Sequence, residues 1–417
     1  MNKPIKIISC LGTGNYEETT YNHPQFPEIN QQVKTCFIQE AVCDFYQAQS
    51  VYVLLTNGAK KRNWDALQEI FANKKNVELI PLGIPENNTP EDIWTIFNVI
   101  TNAIEPNDEI VFDITHSFRS IPMVVLLSIS YLRTINNVKV KGFVYGAYDP
   151  SKKGQDMPTF DLLPIMSLLD WITATDQFVK TGNGKQLVNL LTENQEENST
   201  TLELATKIQS ISQGLQLLRP RDVIKEASTL DDAIQKAKES VIKELPPFEK
   251  LLGKVKEDYH NLGVNLEDGD EKQDLINMLN MIEWYYKKDK IVQSICLARE
   301  WLVSFVCYQL NLKLDSINID SSNSGERWEA ELLLNGGTNK KDKYTSKYLE
   351  QWNELDTDPD APLTKTLKDI WANQLLLSNL RNDVLHAGFR KEPRAASDIE
   401  KRFVLIIDEL KKLAESI

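Results

Sequence analysis

Residues 110–133, IVFDITHSFRSIPMVVLLSISYLR, constrain the fold more than any other stretch of the chain. An apolar run ends on Asp113, a short polar turn follows, and a second apolar run opens with Pro122, which suits a first helical turn because the N–H it lacks would go unpaired there anyway. That is a buried strand, a loop and a helix. The loop gathers Thr115, His116, Ser117, Arg119 and Ser120 just past the carboxyl end of the strand. Open parallel α/β sheets bind ligands at that place, and helix N-terminal N–H groups favour anions. Asp113, His116 and Ser117 also have the residue types of a hydrolase's acid, base and nucleophile, and both alternatives stand at this point.

The flanking sequence repeats the alternation. Ile5–Ser9 (IKIIS) and Val51–Thr56 (VYVLLT) read as buried strands, with Val77–Pro81 and Val138–Tyr145 as two more. Between them lie helix-type segments around Cys36–Gln47, Asn63–Ala72 and Glu91–Ile104, the last preceded by a Thr-Pro start signal. Strands alternating with helices imply right-handed βαβ units, so a Rossmann-like α/β domain with a parallel sheet is expected over the first third of the chain. Two further strand ends carry polar loops: Leu11-Gly12-Thr13-Gly14-Asn15-Tyr16, and Asn57-Gly58 followed by Lys60, Lys61 and Arg62. Paired glycines let a backbone approach a phosphate or ribose. The third glycine of the dinucleotide fingerprint is absent, and a plain turn explains either loop as well.

Ile165–Val179 reads as the helix that leaves this domain, and beyond it strand signals almost vanish. Leu202–Leu218, Leu230–Leu245, Leu275–Lys287, Ile291–Leu310, Leu363–Leu385 and Ile399–Leu413 carry helical apolar periodicity, while Ser321–Ser346 breaks it with Gly, Asn and Lys and reads as an exposed insertion. Within the last bundle, Ser378–Arg390 is SNLRNDVLHAGFR. Arg381 and His386 sit about 140° apart on an ideal helix, while Asn382 and His386 share a face. Arginine's length brings its guanidinium round toward the imidazole near the break that Gly388 signals. Histidine suits proton transfer near neutrality and arginine matches phosphate oxygens, so the set can cut RNA without a metal. A ribose 2′-hydroxyl would attack the adjacent phosphate, with Arg381 stabilising the charge on phosphorus. A two-fold dimer would supply a second histidine. An ordinary helix cap explains the same residues.

Hydrophobic residues make up 41% and charged residues 26% of the 417, the proportions of a soluble globular chain of two or three domains. No run of about 18 apolar residues is present, and MNKPIKIISC is too short in apolar residues for a signal peptide, so a cytoplasmic location is expected. Five cysteines form no CxxC pair and four histidines lie apart, so neither a disulfide framework nor a metal is implied. A net charge of −13 leaves no basic surface for bulk nucleic-acid binding. Any RNA or nucleotide has to be held by a local site.

Taken together these stretches resemble the CRISPR-associated CARF–HEPN ribonucleases of type III systems. The sensor half is similar in Leu11, Gly12, Gly14 and Tyr16, in Asp113, Thr115, His116, Phe118, Arg119 and Ser120, and in Tyr145–Ala147; the helical half is similar around Gln293–Val303 and at Arg381–His386. The helical middle matches less specifically. The resemblance implies a Rossmann-like CARF sensor over 1–182, a helical connecting region over 183–274 and a HEPN helical bundle over 275–417. It further implies a homodimer or higher oligomer that binds a cyclic oligoadenylate, with cyclic tetra-adenylate expected, through Gly12, Thr13, Gly14, Asn57, Thr115, His116, Ser117 and Arg119. Binding would activate metal-independent cleavage of single-stranded RNA by Arg381, Asn382 and His386, with no cofactor and no membrane. On this reading Asp113 braces its loop, and Arg299 with Glu300 forms a structural ion pair. A non-catalytic sensor or adaptor is the alternative, as is a CARF site that slowly degrades its own activator. A nucleotide-dependent oxidoreductase would leave the helical half unexplained.

Overall fold

Strands and helices alternate through the first 167 residues of the computed structural model, which describes residues 3–417 except 24, 26–31, 87–88, 118–119, 148–158, 194–198, 245–246, 264–269, 314–324, 342 and 390, with the backbone alone over 239–244. The strands are β1 (Ile5–Leu11), β2 (Thr19–Asn22), β3 (Gln32–Thr35), β4 (Ser50–Leu55), β5 (Glu78–Gly83), β6 (Glu109–Asp113), β7 (Lys139–Gly146) and β8 (Thr159–Asp161). Six of them form one sheet in the order β5-β4-β1-β6-β7-β8, parallel throughout except for β8 against β7. β2 and β3 pair as a separate antiparallel ribbon that the sequence pattern did not predict.

Both faces of the sheet are covered, which is why its strands read as unbroken apolar runs rather than as alternations. Ile7, Leu11, Val51, Val53 and Val111 pack with the helices Ile38–Tyr46 and Asp65–Ala72. Side chains one residue along point the other way: Ile8, Cys10, Leu54, Ile110 and Phe112 pack with the helices Pro90–Asn102 and Ile121–Asn136. From β1 the chain crosses to β4 and β5, then returns to the opposite side of β1 for β6 and β7. The topological switch point therefore lies between β1 and β6, at the loops that begin with Gly12 and Ile114.

The chain divides into two compact units, Met1–Ser167 and Leu168–Ile417. The division falls inside the helix Leu163–Thr181, ahead of the expected boundary at 182. Met166 belongs to the first unit's core, Ala174 and Phe178 to the second's. In the second unit a single apolar core runs from Phe178, Leu204 and Tyr259 through Tyr285 and Trp301 to Trp352, Trp371 and Phe403, so the residues on either side of 275 share it. Among the described residues of this unit, five α-helices escaped the periodicity: Lys185–Thr192, Pro220–Ser228, Phe248–Tyr259, Glu326–Leu334 and Leu349–Glu354.

Two expectations are corrected. The segment read as an exposed insertion contains the helix Glu326–Leu334, which buries Ala330, Leu333 and Leu334; its residues 321–324 lie outside the described ones. The apolar signal was masked because charged Arg327 and Glu329 are buried too, each paired: Arg327 donates to Glu300 (2.7 Å), and Glu329 accepts from Ser346 Oγ (2.7 Å). The single helix expected over Leu363–Leu385 is broken into Leu363–Lys368, a π-helical turn Asp369–Asn373, and Leu377–Leu385, with Leu376 in the left-handed region at φ 61°. Ile291–Gln309 is apolar and long enough to cross a membrane by composition, but 61% of its apolar window is buried and Arg299 and Glu300 interrupt it, as in a bundle's core helix.

Trp301 sits at the centre of that helix, fully buried, stacked on Phe305 and donating its Nε1 to the Leu275 carbonyl at 2.8 Å. A Trp301→Ala variant is expected to lose about 3–5 kcal/mol of stability, read as a lower urea midpoint in the helical circular dichroism signal. A midpoint equal to the parent's would show that this helix does not hold the bundle together.

Candidate functional site

In the first unit the expected ligand loops converge at the switch point, organised by one carboxylate. Asp113 is 1% exposed at the end of β6, directly beside Ser9 of β1 in the strand register. Its Oδ2 accepts from Ser9 Oγ (2.5 Å), and its Oδ1 accepts from the Thr115 N–H (3.0 Å) and Thr115 Oγ1 (2.5 Å). Thr115 Oγ1 in turn accepts from the Gly146 N–H at 2.8 Å, tying the end of β7 to the same loop. Burial pushes the Asp113 carboxyl above its ordinary value, against the pull of those donors and of His116.

The β1 loop closes against this one. The Gly12 N–H donates to Tyr16 Oη at 2.8 Å, and a Cβ on Gly12 would come within 3.3 Å of the His116 carbonyl. The Tyr16 ring tilts onto the His116 imidazole with centroids 4.3 Å apart, and burial pushes the Tyr16 hydroxyl up to about 12. The β4 loop completes the wall. Asn63 Nδ2 donates to the Gly12 and Gly14 carbonyls, both at 2.9 Å; Arg62 donates to Asn15 Oδ1 (2.7 Å); and a Cβ on Gly58 would meet the Thr13 methyl at 3.5 Å. Thr13, Gly14 and Asn57 are exposed at the rim. Arg119, expected in the same site, lies outside the described residues, as does Phe118.

Asp113, His116 and Ser117 do not form a hydrolytic relay. Asp113 is taken by Ser9 and Thr115, and Ser117 Oγ donates to the Ile114 carbonyl at 2.7 Å. His116 Nε2 is buried and finds no hydrogen-bond partner among the described residues. Periodicity missed Ser9 and Asn63, while Arg62 stood out only as one of the cations in the loop after β4; Thr56 was a further signal, since its hydroxyl caps the short helix Asn57–Ala59 ahead of a π-helical turn over Lys60–Trp64 that aims Arg62 and Asn63 at the β1 loop.

In the second unit, Arg381 and Asn382 stand on the helix Leu377–Leu385 and His386 is its C-cap. Arg381 Nη1 donates to Asn382 Oδ1 (3.2 Å) and the His386 N–H to the Asn382 carbonyl (3.0 Å), so Asn382 links the other two. Ala387 and Gly388 turn left-handed at φ 51° and 72°, and the Gly388 N–H returns to the Asp383 carbonyl. His386 is thereby exposed at the helix end. On the neighbouring core helix Arg299 pairs Glu300 and Glu331, both at 2.6 Å, and Arg327 pairs Glu300, a network that joins two helices. Burial would raise Glu300, and Arg299 with Arg327 outweighs it and holds the carboxyl below its ordinary value. Among the described residues no three of His, Cys, Asp and Glu stand together as a metal cluster would need.

Burial lowers the His116 pKa, opposed only by Asp113. A depressed histidine is neutral in the fold, so its contribution to stability is present above the unfolded value near 6.5 and is lost as pH falls below it. The His116 ring protons are expected to titrate with a midpoint below 6.5 by NMR, and His116→Gln to flatten the fall of the melting temperature over that window. A midpoint above 6.5 would contradict the buried placement.

Residues 6–150 match the family model of the CARF domain of the CRISPR system endoribonuclease Csx1, and residues 167–267 match that of the second domain of the CRISPR-associated protein MJ1674. The second match begins beside the unit boundary and gives the helical middle an identity of its own. The CRISPR-associated protein MJ1674 of Methanocaldococcus jannaschii is 28% identical over 228 residues, 53% of this chain and 33% of that relative, so the chain aligns with about a third of its length. Among solved structures, Enterococcus italicus Csm6 bound to cyclic hexa-2′-fluoro-hexa-dAMP is similar over 99% of this chain and 94% of its own, at 12% identity and a TM-score of 0.48. The chain therefore carries a domain of the Csx1 CARF type, followed by one similar to the second domain of the CRISPR-associated protein MJ1674.

Proposed function

We propose that this chain is a cyclic-oligoadenylate-activated, metal-independent endoribonuclease acting on single-stranded RNA in type III CRISPR defence. The observation that carries it is the pairing, in one chain, of a strand-end cradle matching the Csx1 CARF domain with Arg381, Asn382 and His386 at the end of a helix in a helical unit. The cradle suits a small cyclic anion with adenine rings: the exposed Thr13–Gly14 backbone for phosphates, and the Tyr16 ring, backed by His116, for a base face.

The reaction needs no group beyond the chain's own. The ribose 2′-oxygen attacks the adjacent phosphorus and the bond to the 5′-oxygen breaks, leaving a 2′,3′-cyclic phosphate and a 5′-hydroxyl. Arg381 stabilises the charge gathering on the phosphoryl oxygens, His386 carries the proton to or from an oxygen, and Asn382 keeps Arg381 oriented. One copy offers a single histidine for two proton transfers, so a homodimer completes the site. In support of a second copy, the helix Ile121–Asn136 exposes Met123, Leu127, Tyr131 and Ile135 at four-residue spacing, with Ile93 and Trp94 exposed on the helix Pro90–Asn102.

With labelled RNA, EDTA and cyclic oligoadenylates of defined ring size, the parent is expected to cleave with one ring size and to stay silent without it. Arg381→Ala and His386→Ala should lower the rate about 10²–10⁴-fold while the activator still binds. Variants that fold, dimerise and cleave at the parental rate would overturn the assignment, and silence of the parent with every ring would favour the adaptor.

A further inference from the structure

A cleft of about 650 Å³ opens along the same helix, lined by Asn379 of its first turn and by Lys391, Glu392, Pro393, Arg394 and Asp398 from the chain that follows it. Asn379 and His386 are seven residues apart, so they lie within about 20° of one line down the helix and about 10 Å apart along it. The wall opposite is held to that helix: the Arg394 N–H donates to the buried carboxylate of Asp383 (3.2 Å), and Pro393 closes on Gly388. The Arg394 guanidinium and the Lys391 ammonium enter no ion pair among the described residues, nor do the Glu392 and Asp398 carboxylates. Four charges of both signs thus face one opening in a chain whose net charge is −13.

A simple anion would be repelled by the two acids as much as it is drawn by the two bases. A nucleotide satisfies both, because it carries an anionic phosphate and, on its base, N–H donors. A volume of this size also lies within the range of sites for a ligand of one nucleotide. We propose that this cleft is a nucleotide subsite of the RNA-binding surface, taking a nucleotide that flanks the bond cut. Its phosphate lies against Lys391 and Arg394, and an amino group of its base donates to Asp398 or Glu392. Uracil has no amino group and flanks its one N–H with two carbonyl oxygens that a carboxylate repels, so adenine, cytosine and guanine, each with an amino group, are preferred over it there. The proposal rests on the ribonuclease reading and gives that reaction a source of sequence preference.

The test measures binding, so it does not depend on cleavage. Full-length protein is titrated by fluorescence anisotropy into labelled, 2′-O-methylated oligo(A), oligo(C) and oligo(U). The parent is expected to bind oligo(A) and oligo(C) more tightly than oligo(U). Lys391→Ala with Arg394→Ala should weaken all three about tenfold and flatten the slope of log K against log salt by about 0.7, the change for one single-strand phosphate that the protein no longer neutralises. Asp398→Asn with Glu392→Gln should reduce the preference over oligo(U). Parental affinity and slope in the first double variant, or unchanged base preference in the second, would overturn the subsite. If the parent cleaves no RNA but these binding changes appear, the catalytic reading fails and the subsite stands; if it cleaves and they are absent, the reverse holds.

Discussion

A carboxylate taken out of water must be hydrogen-bonded on every side or it destabilises whatever buries it. Asp113 meets that condition only because three separate segments bring donors to it: Ser9 from the neighbouring strand, the Thr115 amide and hydroxyl from the loop that follows, and through Thr115 the end of β7. The dependence runs both ways. Without Asp113 the Thr115 amide and hydroxyl and the Ser9 hydroxyl would lose their partner, and the loop would lose the anchor that sets His116 under Tyr16. The cradle is therefore hydrogen-bonded together at its floor, where the strands end, and open at its rim, where Thr13, Gly14 and Asn57 stand exposed.

In this unit the sequence was legible because parallel strands advertise themselves. VYVLL and IVF are apolar on both faces, and each ends at a polar loop where an α/β sheet has to put its ligand. What escaped were contacts made across the sheet by residues with no local signal. Ser9 looks like one more strand residue until the register sets it against Asp113, and Asn63 looks like a helix start until the π-helical turn carries it to the Gly12 and Gly14 carbonyls. The acid, base and nucleophile types in Asp113, His116 and Ser117 were visible, and their spacing was misleading as chemistry: the strand's end turns Ser117 back onto its own backbone.

The helical unit was less legible for a different physical reason. Periodicity finds a helix when one face is apolar and the other charged, and here several helices bury charge. Arg299 and Arg327 are balanced by Glu300 and Glu331 in a partly buried network, and Glu329 is taken by two hydroxyls. A buried pair costs desolvation that its Coulomb attraction roughly repays, so the network sets the relative placement of the two helices more than it stabilises them. The helix break before Leu377 was hidden for the opposite reason, since Leu375, Leu376 and Leu377 look like continuous helix while Leu376 takes a left-handed backbone.

The two histidines of the candidate sites show how environment divides labour between chemically identical groups. His116 is packed under an aromatic ring, its Nε2 buried and its charged form disfavoured, which makes it a neutral, oriented surface for a ligand and a poor carrier of protons. His386 stands exposed at a helix end, where the left-handed pair Ala387–Gly388 stops the backbone from covering it. An imidazole that is open to solvent is free to meet a phosphate, the role proposed for it. Burial therefore separates two environments that residue type alone leaves equal, and under the proposed function it puts holding in the sheet and catalysis in the bundle. Both placements follow from backbone geometry: a strand that must end in a satisfied carboxylate, and a helix that ends in residues no longer able to continue it.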